Sequence, residues 1–252
     1  MKEEYKIFIN KVPVLRNKAK AILTIFYILS LILLMVLYFY YIDPITWFMP
    51  IITQTLMVII VIIISYIHFN KVDDYRKKYG MLAYQPYFYR YIIPYIVSWY
   101  ALFYHPLFIS HTPLFPFFVS IFIAIVLFVI LIFITLHIER AGFKLITHGM
   151  DIYTVFPEET TVIRGEIYGF IRHPLYLTLT VGCFALSFVA NNIIAISAAI
   201  IQLIPSIIVG KMEDKGLIKR DGEAHLEYIN STALLFPFKR ILGFLKLLFF
   251  FK

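Results

Sequence analysis

The sequence predicts an all-α integral membrane protein: a bundle of about six transmembrane helices with cytoplasmic loops and a C-terminal amphipathic helix lying in the membrane interface. Three observations predict it. The 252 residues are 61% hydrophobic, with a mean hydropathy of +0.83, well above a soluble domain, in which about half the residues are apolar. The apolar residues fall into six runs, 21–42, 45–69, 91–109, 114–138, 174–190 and 193–209, each of the size a crossing helix requires. Finally, Lys and Arg occupy alternate connections only: six in the N-terminal arm, five between the second and third runs, four between the fourth and fifth, and eight after the sixth. Asp43-Pro44, Ser110 to Pro113 and Asn191-Asn192 hold none. By the positive-inside rule, both termini are cytoplasmic.

The same census excludes other classes. A formal net charge of +8 distributed in this way is a topological and lipid-headgroup signal and not a nucleic-acid footprint. The single cysteine, Cys183, lies inside an apolar run, which rules out an internal disulfide and a thiolate metal cluster. No metal site is expected.

Taken in order, residues 1–20 mix Lys with Ile7, Phe8, Ile9, Val12 and Val14 and read as a basic anchor on the cytoplasmic leaflet. The first run is too long for a signal peptide and lacks a cleavage site, so it reads as a retained span with the mature chain starting near Met1. The first two runs carry no ionisable group except His68, and packing or lipid-facing helices without chemistry are expected there. Residues 70–90 read as a juxtamembrane loop with belt tyrosines; Asp73, Asp74 and Arg76 would reach a site only from its rim. The third run contains Pro94, Trp99, His105 and Pro106. His105 and His111 fall on the outer side with no carboxylate partner expected. Between the fourth and fifth runs a loop extends to about Tyr168. It is either a solvated linker with an interfacial aromatic tip, 151–157, or a lid over a lipid-derived substrate. The run 241–251 is short for a span and reads as lying flat. The division expected is 1–138, four spans with the basic arm, and 139–252, a core, forming one structural unit.

Two polar stretches stand out in that core. Tyr168-Gly-Phe-Ile-Arg172-His173-Pro174-Leu-Tyr176 and Lys211-Met-Glu213-Asp214-Lys-Gly-Leu217 are separated by an uncharged run, Leu177 to Val209, long enough to cross and return. Both stretches therefore meet on the cytoplasmic side. Pro174 suits a first helical turn, which leaves Arg172 and His173 at the surface ahead of a helix N-terminus that favours anions. Tyr168, Arg172 and Tyr176 are spaced by four and would share a face in a helical or turn conformation. The second stretch reads as an amphipathic interfacial helix.

The first stretch resembles the Y-x-x-x-R-H-P-x-Y element of the isoprenylcysteine carboxyl methyltransferase and phospholipid methyltransferase superfamily. The C-terminal arm resembles its partner element, E-E-x-x-L-x-x-x-F-G-x-x-Y-x-x-Y, with Glu213, Asp214, Leu217, Gly222 and Tyr228 at matching positions. The resemblance covers about residues 139–238. Departures are Asp214 for Glu, Asp221 for Phe, His225 for Tyr and Thr178 for a Gly, with Gly165 one residue further upstream than usual. It implies a membrane-embedded methyltransferase using S-adenosyl-L-methionine (SAM) without a Rossmann fold, and no G-x-G-x-x-G follows a strand here. On this resemblance Arg172 and Glu213 are the catalytic pair, and Tyr168, Arg172, His173, Tyr176, Glu213, Asp214 and Tyr228 bind the cofactor. Arg172 would hold a carboxylate of cofactor or acceptor; Glu213 and Asp214 would hold the cofactor's hydroxyls or ammonium. The acceptor implied is lipophilic and drawn from the bilayer. The first expectation is a prenylated-cysteine carboxylate; a lipid headgroup amine, which must lose a proton, is the variant. Two further readings are a nicotinamide-dependent sterol-type reductase, which shares an R-H-P-x-Y element, and a non-catalytic scaffold with a structural Arg172–Glu213 pair.

Overall fold

The computed structural model describes residues 2–160 and 162–249. The expected chain start at Met1 and the last residues of the 241–251 run lie outside the described residues. Among the described residues the regular elements are helices, apart from one isolated parallel bridge between Ile171 and Ala233. Four helices are long and apolar enough to cross a membrane, within Lys18–Ile45, Met49–Leu82, Phe117–Arg140 and Ile193–Asp221; the apolar helix Pro174–Ala190 is shorter. In an 18-residue apolar stretch of each, only 11% of the first and 17% of the third is buried inside the protein, so both present apolar side chains outward, as lipid-facing helices do.

The N-terminal arm forms α1 (Lys2–Lys11). Phe8 and Val12, four apart on one face, pack with Tyr84, Tyr87, Phe88 and Phe156, so the arm docks on the protein and is more than a leaflet anchor. Helix α2 (Lys18–Ile42) begins where Asn17 accepts a bond from the Lys20 N–H, a side-chain N-cap. Helix α3 (Met49–Tyr79) continues through residues expected to be loop. No Gly or Pro interrupts 70–79, Lys71 pairs with Asp74 at 2.9 Å, and Gly80, at a φ of 53°, finally ends the helix. Helices α4 (Tyr84–Tyr87) and α5 (Ile93–Tyr104) are joined by a π turn, Phe88–Ile92.

His105 departs from expectation. It is fully buried, with Nε2 2.7 Å from the Asp43 carboxylate and Nδ1 2.6 Å from Gln54 Oε1, while Thr53 donates to Asp43 at 2.6 Å. The carboxylate partner is far away in sequence, in the turn after α2, and only helix packing reveals it. The cluster ties α2, α3 and α5 together at the end of the bundle that also holds the Asn191-Asn192 turn, where Asn192 donates to the Ile109 carbonyl.

Helix α6 (Phe117–Arg140) precedes a loop containing the single turn α7 (Ile152–Val155). Then comes the hairpin of α8 (Pro174–Ala190) and α9 (Ile193–Ile201) running into α10 (Leu203–Asp221). Asn191 reverses the chain at a φ of 53° and Asn192 caps α9 through Ala195. The break between α9 and α10 falls where Pro205 offers no N–H to the Ile201 carbonyl. Gly182 seats α8 against α5 and α6: a Cβ there would lie 2.2 Å from Phe103 and 2.7 Å from Leu131. Gly222, at a φ of 60°, separates α10 from α11 (Glu223–Ser231). Helix α12 (Ile241–Phe249) buries Phe244 and Leu248 among Ile134, Ile167 and Ile171.

Candidate functional site

The two polar stretches are joined first by backbone. Ahead of Pro174 the chain leaves a 3₁₀ turn, Glu166–Gly169, and extends alongside the segment that follows α11. Ala233 N–H donates to the Phe170 carbonyl at 2.9 Å, Arg172 N–H to the Ala233 carbonyl at 2.9 Å, and His173 N–H to the Leu234 carbonyl at 3.3 Å. Tyr168, Arg172 and Tyr176 thus do not share one helix, as the spacing of four suggests.

Side chains complete the join at Asp214. Its Oδ2 accepts from Arg172 Nε at 3.1 Å, and its Oδ1 faces His173 Nε2 at 3.0 Å and His225 Nε2 at 3.2 Å. His173 Nδ1 lies 3.2 Å from Glu213 Oε2, so the imidazole is gripped by a carboxylate on each nitrogen. Burial alone would lower the His173 pKa, but Glu213 and Asp214 outweigh it and hold the ring up at about 9. His173 is therefore a cation at neutral pH. The Arg172 Nη1 donates to the carbonyls of Ile229 and Thr232 at 3.1 and 2.6 Å, closing the C-terminus of α11. Arg172 pairs with Asp214, and Glu213 is shared between His173 and the Tyr176 hydroxyl.

Tyr168, Arg172, His173, Glu213, Asp214 and Tyr228 line one cleft of ≈ 430 Å³, within the range of small-molecule sites. Tyr228 donates to the Tyr168 carbonyl at 2.7 Å. Burial pushes both phenols up, so they stay neutral. Tyr176 is not part of this lining. It is buried behind it, stacked on Trp99 at 5.1 Å with a 19° interplanar angle, its hydroxyl 3.2 Å from that of Tyr95. The facing wall comes from α3 and the long loop: Phe69, Val72, Asp73, Phe143, His148 and Asp151. The segment after Asp151 is clamped: Lys11 pairs with Glu159 and lies 3.5 Å over the Phe156 ring, and Arg76 pairs with Glu158 at 2.7 Å.

Sequence reasoning missed Gly210. A Cβ there would lie 3.2 Å from His173 Cδ2 and would crowd the imidazole held between the two carboxylates; an isolated Gly inside an apolar helical run is the signal for it. It also treated His225 only as a departure from a motif. Yet His225 is fully buried on Asp214, and its Nδ1 has no hydrogen-bond partner among the described residues.

No family model, curated protein or solved structure matches this chain.

Proposed function

We propose that the protein is an integral membrane SAM-dependent methyltransferase acting on a lipophilic acceptor, with six spans and with both termini and the cleft on the cytoplasmic side. The observation that carries this reading is the convergence of the two separated polar stretches on Asp214 within one cleft. The residues suit the cofactor: a buried, unpartnered His225 Nδ1 for a polar group, the Glu213 carboxylate for an ammonium or hydroxyl, and the Tyr168 and Tyr228 rings beside them. When bound, SAM supplies an electrophilic methyl group on a sulfonium.

The chain's own part is positioning and exclusion of water. Arg172 orients Asp214, and Asp214 orients His173 and His225. Because Arg172 Nε and Nη1 are already engaged, it acts as a positioning residue. His173 and Arg172 together balance the charge of the two carboxylates, and the loop wall closes the far side. Calorimetry on purified, detergent-solubilised protein tests the reading, with SAM binding and NADPH not binding. Binding of NADPH alone would favour a reductase, and binding of neither a scaffold. Arg172→Ala and Glu213→Ala are each expected to lose SAM binding or turnover while the protein still inserts and unfolds cooperatively. Near-normal methyl transfer by both would sink the assignment.

A further inference from the structure

The wall opposite Asp214 carries chemistry that the motifs do not account for. Asp151 lines the cleft from the loop, and directly behind it lies His68 of α3, fully buried. His68 Nε2 is 3.3 Å from Asp151 Oδ2 but is not aligned for a hydrogen bond and has no other partner among the described residues. On the other side of the ring, Nδ1 is 2.7 Å from the Tyr87 hydroxyl, and the Tyr95 ring stacks on it at 5.2 Å and 19°. Tyr87 donates its one hydroxyl hydrogen to the His68 carbonyl, so its oxygen accepts from Nδ1–H and the neutral ring turns the Nε2 lone pair toward the carboxylate. Among the described residues, the hydrogen bond to Asp151 Oδ1 comes from Thr154, at 3.2 Å. Asp151 also sits at a φ of 53°, a left-handed region that Asp adopts more readily than most residues, and its carboxylate reaches His68 of α3.

The contrast with the opposite wall indicates what Asp151 can take. An anionic group would need a free cation. Arg172 is engaged as described, Arg220 grips Asp221 through two nitrogens at 2.8 and 3.1 Å, and Lys219 is exposed beside Asp73. A cationic group finds in Asp151 a half-satisfied carboxylate, in a cleft that Phe69, Val72 and Phe143 also line.

We propose that Asp151, supported by His68, is the ammonium-binding and proton-accepting group of the cleft. Its ligand is a primary or secondary lipid amine. The ammonium lies against Asp151 Oδ; one N–H bond breaks as an O–H bond forms, and a carboxylate and an ammonium become a carboxylic acid and a neutral amine with a lone pair, the form a methyl acceptor requires. Once Asp151 has taken the proton, its acid O–H can donate to the Nε2 lone pair of His68, which lies 3.3 Å from Oδ2. Ammonium binding stands independently; the proton-accepting role rests on the methyltransferase reading.

The test uses the full chain in detergent and Asp151→Asn, a residue tolerated at positive φ. Short-chain phosphatidylethanolamine, short-chain phosphatidylcholine and N-acetyl-S-farnesylcysteine are titrated by calorimetry, and methyl incorporation from labelled SAM is followed on each. The groups around Asp151 and His68 are Tyr84, Tyr87, Tyr95, Tyr176 and Thr154, with His148, Glu213 and His173 in the same cleft; none is altered. The expected result is that Asp151→Asn weakens phosphatidylethanolamine binding by ~10-fold or more and slows its methylation by ~100-fold, with SAM affinity unchanged. His68→Gln should give a smaller loss of rate and a shifted pH profile. Unchanged phosphatidylethanolamine binding in Asp151→Asn, or methylation of the carboxylate acceptor alone, overturns the proposal. A wild-type protein that binds no SAM removes the methyltransferase reading and the proton-accepting role with it, while phosphatidylethanolamine binding in the two proteins still decides whether Asp151 holds the ammonium.

Discussion

Asp214 faces three donors, from Arg172, His173 and His225, inside a buried cluster, and such a group cannot lose one partner without leaving another exposed to a low-dielectric interior. The His173 proton gives this a measurable form. An imidazole near 6.5 in an unfolded chain and at about 9 in the fold binds its proton more tightly when folded. Its stabilising contribution is complete below about pH 6.5 and is lost as the pH rises through 9. The thermal midpoint in detergent should accordingly fall across that window, and His173→Gln should flatten the fall. If the midpoint rises there instead, His173 is not held between two carboxylates. At this scale the sequence was partly readable. That the stretches holding Arg172, His173 and Asp214 meet was readable because an uncharged hairpin returns both to one side, but the ion pair expected was Arg172 with Glu213, and the one formed is Arg172 with Asp214. His225 on Asp214 was not readable, because it depends on how Gly222 turns α11 back; nor was His68 on Asp151, because that depends on a positive φ in a loop with no repeating pattern.

Helices are seated by what they lack as much as by what they carry. Gly182 marks the closest approach of α8 to α5 and α6, with Phe103 and Leu131 where a Cβ would be. Gly182→Leu should therefore push α8 away and cost about 1–3 kcal/mol, read as a lower midpoint in thermal unfolding, whereas Leu at the open Gly216 should not. Equal midpoints would show that α8 is not clamped there. Helix ends were legible wherever they rested on local chemistry: Pro174 opens α8 and the Asn191-Asn192 pair turns the hairpin, both visible as residue types. The extension of α3 through Tyr79 was not, because belt tyrosines and mixed charge suit a juxtamembrane loop and a helix surface equally, and only the packing of Val72 and Tyr75 beneath the N-terminal arm decides between them.

For the whole molecule, the charge asymmetry sets a clear expectation. In a Cys183→Ser background, Glu158→Cys and Lys219→Cys, both exposed, should react with an impermeant thiol reagent only after the membrane is opened, and His111→Cys should react from outside. Reaction of the first two from opposite sides would separate the two walls of the cleft. The helical class and the apolar runs were plain from hydropathy because lipid demands them; the joining of distant helices was not, since a pair such as Asp43 and His105 leaves no local trace. The π turn at Phe88–Ile92 has its own bearing on the assembled molecule. A π turn holds one residue more than the α-helical turn it replaces, so it shifts the phase of everything after it by roughly 100°. Tyr87 before it and Tyr95 after it both meet His68. Excising Tyr89 would restore a regular helix and swing Tyr95 and Trp99 away from His68 and Tyr176 together. A single-residue deletion there should uncouple the two walls of the cleft with every side chain discussed above still in the sequence.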